Sequence, residues 1–340
     1  MWHLRIRKMK FVSELVAVGV HEVEIIGDGA IYRVGGLDAD TAGTIDGVAY
    51  RTLPDVGEHL ATVTTVNDVH LGEIECGKIV GVVEAAFRVQ PGETPYATFM
   101  SEAVIEDMRA LSPDAVIVKG DLTSFGTRDE FDAFRALYEP AFGDRLTYVR
   151  GNHDSYPGEV YADWPVQIVD VPGARIILLD TSRVASGSGY ISRDQIDATA
   201  AAADEATTPV IVMGHHPLFV DGAMAPERFD GVNPTDSAAL LAALLPRRHV
   251  VSYSAGHTHR CHRVDVDGLA VTQVACVKDF PGAWAEYHVG TRGIAQTVHR
   301  ASRPDAVAWA ETTRTMFDGF YGAYAMGELR ERCFTLPLER

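Results

Sequence analysis

The sequence predicts a layered α/β fold in which two mixed β-sheets face each other and helices flank them. Two features lead to this expectation. From residue 61 onward, short apolar strands alternate with amphipathic helices, the signature of strand–helix units in a layered sheet. Beyond residue 260 the helical spacing gives way to hairpin-like runs, which supply a second sheet facing the first. With 340 residues, 46% of them hydrophobic, the chain can bury a large core without covalent staples.

Residues 1–60 read as a small β-rich extension. Their short apolar runs are broken by GDG, VGG and DG, which are hairpin turn signals. The basic start MWHLRIRKMK is expected to be a solvated end or a short strand. Glu14 interrupts the apolar run after it and no small-residue cleavage site follows, so a secretory leader is not expected. His21 and His59 lack partners at ligand spacing and read as surface or packing residues.

The main domain spans residues 61–300. ATVTTV (61–66) is a buried strand. Thr94-Pro95 opens a helix on which Phe99, Met100, Ala103, Val104, Met108 and Leu111 keep helical spacing. Strand 115–120 follows, then an amphipathic helix over 128–138 carrying Phe131, Phe134, Leu137 and Tyr138 on one stripe, then strand 146–151. The second half repeats the pattern. Strands 166–171 and 174–180 turn at Pro172-Gly173, helix 193–206 leads to strand 209–214, and helix 235–245 leads to strand 249–256. Hairpin-like runs follow at 263–266, 269–277, 284–289 and 294–299. Residues 301–340 are expected to be a helical segment packed on this domain, with a helix over 303–318.

Thirty basic residues stand against 47 acidic ones, a formal net charge of −17. Such a surface repels a polyanion, so general nucleic-acid binding is not expected. An anionic small substrate fits only if bound cations supply local positive charge. No stretch approaches the ~18 apolar residues of a membrane-spanning helix, and no membrane partner is expected. The four cysteines, Cys76, Cys261, Cys276 and Cys333, form no CxxC pair; reduced, mostly buried thiols and a cytoplasmic location are expected.

Five polar motifs interrupt the strand–helix pattern, each at the end of a strand. They are Asn67-Asp68-Val69-His70, Gly120-Asp121, Gly151-Asn152-His153-Asp154, Gly214-His215-His216-Pro217 and Gly256-His257-Thr258-His259. Ligands of open α/β sheets bind at the carboxyl ends of strands, so the five clusters are expected to converge. Imidazole, carboxylate and amide oxygen form a mixed N/O donor set suited to Mn, Fe, Zn or Co. On an extended backbone the alternating DxH and HxH pairs would point both side chains one way. Seven candidate ligands, Asp68, His70, Asp121, Asn152, His215, His257 and His259, exceed one tetrahedral site but suit two ions sharing a carboxylate.

DVHLG, GDLT, RGNHD, GHHP and GHTHR together resemble the calcineurin-like metallophosphoesterases. GDLT with GHTHR is most similar to the bacterial cyclic-nucleotide phosphodiesterase branch (class III type). The resemblance covers about residues 61–275. It implies a double-sheet sandwich flanked by helices, with a dinuclear centre of divalent or di/trivalent Mn, Fe or Zn ions at one end. Asp68, His70, Asp121 and His259 would hold the first metal, and Asn152, His215 and His257 would complete the second, with Asp121 bridging. A hydroxide bridging the two ions would attack phosphorus. His153 would contact the phosphate and protonate the leaving oxygen, with Asn152 touching the phosphate as well.

The expected substrate is a small phosphodiester, such as a cyclic nucleotide. The alternatives are a phosphomonoesterase or broad-specificity phosphatase with the same ligands, and a non-catalytic metal-binding scaffold. A homodimer is one open form of assembly. Many relatives carry an acid three residues after the bridging Asp, where this chain has Ser124. A hydroxyl can fix an imidazole tautomer but stabilises an imidazolium less than a carboxylate does. Asp154 is one candidate substitute. His216 either lines the pocket or caps the turn before Pro217. Arg150, Arg260 and His262 either reach a phosphate or belong to solvated loops. Phe280, Trp284 and Tyr287 form either an aromatic wall for a base or part of the core.

Overall fold

The computed structural model describes residues 13–78, 81–158, 161–221 and 230–340; the basic start MWHLRIRKMK lies outside the described residues. The chain begins with five short strands, β1 (Glu14–Val18), β2 (Glu22–Gly27), β3 (Ala30–Gly35), β4 (Ala42–Ile45) and β5 (Val48–Arg51). Asp28-Gly29 and Asp46-Gly47 close two of their hairpins, with φ of 50° and 77°, and of 50° and 81°. Two-residue hairpins favour positive φ at both positions, which Asp-Gly tolerates and most pairs do not.

The main body then runs β6 (His59–Val66), the short pair β7 (Glu75–Cys76) and β8 (Phe87–Arg88), α1 (Tyr96–Ala110), β9 (Ala115–Lys119), α2 (Arg128–Phe142) and β10 (Leu146–Val149). A single helical turn, α3 (Asn152–Ser155), precedes β11 (Val166–Val171), β12 (Ala174–Leu179), α4 (Arg193–Asp204), β13 (Val210–Gly214), α5 (Pro234–Leu244) and β14 (Val250–Ala255). Four strands follow, β15 (His262–Val266), β16 (Leu269–Gln273), β17 (Ala283–Gly290) and β18 (Gly293–Arg300). The last elements are α6 (Pro304–Thr313), α7 (Phe320–Met326), α8 (Leu329–Arg332) and β19 (Phe334–Pro337).

Two six-stranded sheets result, ordered β10-β9-β6-β17-β18-β19 and β11-β12-β13-β14-β16-β15. In the first, β10, β9 and β6 are parallel, and β17, β18 and β19 add antiparallel. In the second, β12, β13, β14 and β16 are parallel, with antiparallel β11 and β15 at the edges. This is the fold class expected from the sequence.

Side-chain alternation along the strands builds three core layers. In β9, Ala115 and Ile117 point between the sheets, while Val116 and Val118 meet the helices outside. In β12, Ile176 and Leu178 point between the sheets, and Ile177 and Leu179 pack beneath α4 and α5. On the opposite side α1 and α2 cover the first sheet with Met100, Val104, Met108, Phe131 and Phe134. Two helices start at reciprocal capping boxes, Thr127 with Glu130 for α2 and Ser192 with Gln195 for α4.

The last segment departs from expectation. It is helical only as far as Arg332, and β19 then extends the first sheet beyond β18. FTLP is too short to show a two-residue period, so only its pairing with β18 reveals it as a strand. Among the described residues no helix is long and apolar enough to cross a membrane.

The three-stranded sheet packs Val16, Val18, Val23 and Ile26 against Ala295 of β18 and Val307 of α6. A buried ion cluster crosses the same contact. His299 on β18 lies 2.8 Å from Glu24 and 3.0 Å from Glu286, and Arg33 holds Glu24 at 2.7 Å. Burial disfavours charge on both partners, but their mutual attraction prevails: Glu24 is lowered to about 2 and His299 raised to about 10. The pair titrates together, so its contribution counts once. That contribution is complete between the ordinary values of 4.5 and 6.5. It declines as pH falls from 4.5 toward 2, and again as pH rises from 6.5 toward 10. Removing one partner strands the other charge in the core, so His299→Ala is expected to lower stability by about 3–5 kcal/mol near pH 6. Urea melts of both proteins check this, and the difference should shrink as the pH is raised to about 9.5.

Candidate metal centre

All five sequence motifs lie at the carboxyl ends of β6, β9, β10, β13 and β14. Within each sheet those strands are parallel, so their ends share one edge, and the facing sheets bring the two edges together. Two glycines allow the close approach. A Cβ on Gly120 would lie 2.7 Å from the His215 ring, and one on Gly256 would lie 2.7 Å from Asp68 Oδ2.

The backbone of these loops is not extended, contrary to the expectation for DxH and HxH. Asp68, His70, Asp121, His257 and His259 have φ of 55°, 51°, 50°, 69° and 53°, all left-handed. Asp and His tolerate this region better than most residues, at a cost of about 1 kcal/mol or more each. Left-handed turning around Val69 and around Thr258 is what aims the two side chains of each pair.

The side chains form two groups that meet at Asp121. His70 Nε2 lies 3.3 Å from Asp121 Oδ2, and His259 Nε2 lies 3.5 Å from Asp68 Oδ1. On the other side His215 Nε2 lies 3.4 Å from Asp121 Oδ1. Asn152 Oδ1 stands 3.0 Å from His215 Nε2 and 2.9 Å from His257 Nδ1. Asp121 therefore turns one oxygen to each group. Asp68, Asp121 and His215 are buried.

These residues fit bound metal ions. His215 Nδ1 donates to the Lys119 carbonyl at 2.9 Å, so a neutral ring turns its Nε2 lone pair toward the lone pairs of Asn152 Oδ1. Only a proton or a metal cation between them makes that contact favourable. Asn152 Nδ2 donates to the Tyr156 hydroxyl at 2.6 Å, which fixes the amide with its oxygen toward the histidines. Both ring nitrogens of His70 are buried without a hydrogen-bond partner. Glu73 stands 3.3 Å from His70 Nδ1 but lacks hydrogen-bond alignment.

Electrostatics agree with geometry. Burial opposes charge on both carboxylates, yet the imidazoles of His259 and His215 hold Asp68 below its usual range. Those of His215, His153 and His70 hold Asp121 well below it. Burial also opposes charge on His215, but Asp121 and Asp68 raise it to about 9. Burial and the neighbouring His153 instead hold His70 well below its usual range, so the carboxylates favour positive charge at His215 without outweighing burial at every ring.

His153 sits beside this cluster, its ring 4.4 Å from that of His70. Its Nδ1 donates to the backbone carbonyl of Ser124 at 2.6 Å. The Ser124 position thus orients the imidazole through its main chain rather than through its hydroxyl. Asp154 serves another purpose. It is fully buried and accepts from the amides of Leu122, Thr123 and Gly151 at 3.1, 2.9 and 2.7 Å, bracing the Asp121 loop against the Asn152 loop. Burial, then the charge of Asp121, raises it to about 6.

His216 is fully buried, with Nδ1 2.9 Å from Thr181 Oγ1 and Nε2 3.2 Å from the Gly187 carbonyl, so its ring is tethered to the loop after β12. Arg260 turns to Gln273 at 3.2 Å and lies over the Tyr324 ring. Arg150 pairs with Asp180 and Asp163, and His262 with Glu331. Phe280, Trp284 and Tyr287 are buried in the core and form no wall for a base. All four cysteines are buried and unpaired. Tyr156, Glu73, Lys119 and the Cys276–Lys278–Asp279 stretch escape a sequence reading. Tyr156 and Glu73, three residues beyond His153 and His70, carry a positional signal.

The sequence pattern of calcineurin-like phosphoesterases matches residues 61–261, and the chain belongs to this family. It is 29% identical over 167 residues to a 3′,5′-cyclic adenosine monophosphate phosphodiesterase of Pseudomonas aeruginosa, a match that spans 47% of this chain and only 60% of that protein. To a probable cyclic nucleotide phosphodiesterase of Rhodococcus erythropolis it is 29% identical over 222 residues, spanning 61% of this chain and 67% of that one. A dimetal phosphatase from Danio rerio superposes with a TM-score of 0.55 at 14% identity, over 70% of this chain and 96% of that one. A purple acid phosphatase from yellow lupin gives 0.51 at 12% identity, over 83% and 57%. At such identities these structures show the shared fold.

Because Asp121 faces both groups, Asp121→Ala is expected to retain less than about one ion per chain after purification with Mn and gel filtration, since two adjacent ions would need the shared carboxylate. Elemental analysis alongside wild type measures it.

Proposed function

We propose that the chain hydrolyses phosphodiesters, cyclic nucleotides among them, at a dinuclear metal centre. The observation that carries this reading is Asp121, whose two oxygens face His70 and His215 from opposite sides. Asp68, His70 and His259 would hold one ion, and Asn152, His215 and His257 the other. Bound there, two cations would supply Lewis acidity toward the phosphoryl group and lower the pKa of a water. The acidic balance of the chain, −17 in formal charge, makes such local positive charge necessary for an anionic substrate. The curated relatives named as cyclic nucleotide phosphodiesterases support the diester.

The chain's own groups account for proton delivery and orientation. His153 donates its Nδ1 proton to the Ser124 carbonyl, which leaves Nε2 to carry the proton for the leaving oxygen. A carbonyl stabilises the protonated ring less than a carboxylate would, so good leaving groups gain most. Asn152, pinned by Tyr156, keeps its amide oriented while substrate exchanges.

Side-by-side kcat/KM values for a cyclic nucleotide, bis(p-nitrophenyl) phosphate and p-nitrophenyl phosphate test the substrate class. The diesters should lead; a monoester preference of more than about tenfold would refute the reading. A second comparison tests the acid. His153→Ala should keep its metal yet lose ~10²–10⁴ in rate on poor leaving groups, whereas Ser124→Ala, which keeps the carbonyl, should stay within about twofold of wild type. Metal loss in His153→Ala would show that this ring is a ligand.

A further inference from the structure

Behind the first of the two groups lies a buried chain of polar side chains that the proposed chemistry does not use. Lys278 Nζ sits between two carboxylates, 2.8 Å from Glu73 Oε1 and 2.8 Å from Asp279 Oδ2. The other oxygen of Glu73 faces His70 Nδ1 at 3.3 Å. Asp279 Oδ1 accepts from the Cys276 thiol at 2.9 Å and from the Tyr321 hydroxyl at 2.6 Å. Cys276 and Asp279 in turn bring their polar atoms within 4.8 Å of those of His259. Tyr96 closes the other end, donating to Glu73 Oε1 at 2.5 Å.

Three features set this network apart from ordinary core pairing. Cys276, Lys278, Asp279 and Tyr321 are all buried and Glu73 is half-buried, and a buried Lys278–Asp279 pair holds no general advantage over apolar packing. Its two ends approach His70, where Glu73 stands 3.3 Å from Nδ1 without hydrogen-bond alignment, and His259, imidazoles of the same group. Its two carboxylates and one ammonium leave a net negative charge beside a cluster suited to cations. Histidines that ligate metal almost always direct their other nitrogen to a carboxylate, carbonyl or water, which fixes the ring and raises its basicity. His215 uses the Lys119 carbonyl for this purpose.

We propose that Glu73, Lys278, Asp279 and Cys276 act as one positioning unit that sets the His70 and His259 rings for a single metal ion. This inference rests on the two-metal reading. It makes the two sites unequal: His215 is held by a main-chain carbonyl, whereas His70 and His259 depend on a side-chain relay that substitutions can weaken selectively.

Two-site Mn(II) titration calorimetry of the full chain tests it, with Mn(II) electron paramagnetic resonance as a second readout. Cys276→Ala and Glu73→Gln should each weaken one of the two ions ~10–100-fold and leave the other within about threefold. At one equivalent of metal their spectra should be those of a single isolated ion. Cys276→Ser, which keeps a donor toward Asp279, should recover most of the lost affinity. Two ions in wild type with unchanged affinities in Cys276→Ala and Glu73→Gln would overturn this inference alone. Equal weakening of both sites would overturn it as well, because that marks a general structural role. Fewer than two ions in wild type would overturn the dinuclear reading on which it rests.

Discussion

The Asp121 carboxylate is buried with one oxygen facing His70 and the other facing His215, and this contact governs the end of the molecule where the motifs gather. Two sheets supply its surroundings. Asp68, His70, Asp121 and Asn152 come from loops of the first sheet, and His215, His257 and His259 from loops of the second. Neither sheet holds a complete donor set. The interlayer core, where Val63 and Ile117 of one sheet join Ile176, Leu178 and Met213 of the other, therefore sets the spacing on which the centre depends.

Holding these groups together works against stability in two ways. Five of the seven candidate ligands adopt left-handed backbone conformations, and two carboxylates are buried among imidazoles. The surrounding loops compensate through fixed hydrogen bonds. Asp154 ties three backbone amides across two loops, Lys119 and Ser124 offer carbonyls to His215 and His153, and Tyr156 holds the Asn152 amide. Each of these contacts fixes a ring or an amide in advance, so a bound cation would find its donors already oriented.

Much of this is legible in the sequence because it rests on local patterns. Strand–helix alternation reveals the layers, and polar clusters at strand ends reveal the site, since the strand end itself specifies where side chains emerge. Less local features stay hidden. The left-handed turns at His70 and His259 leave no mark in DxH or HxH, because Asp and His occupy extended and left-handed backbone alike. The part played by Ser124 escapes a side-chain argument, because a carbonyl belongs to every residue. Lys278 reaches Glu73 across 205 positions, and no spacing rule connects residues so far apart. The strand β19 is four residues long and depends wholly on its partner.

Whether two metal ions share Asp121 can be read from crystals grown with Mn and a phosphate analogue and measured for anomalous scattering. Two anomalous peaks ~3.5–4 Å apart are predicted, flanking the Asp121 carboxylate and enclosed by the other six ligands. A single peak, or two peaks that do not share Asp121, would contradict the dinuclear centre.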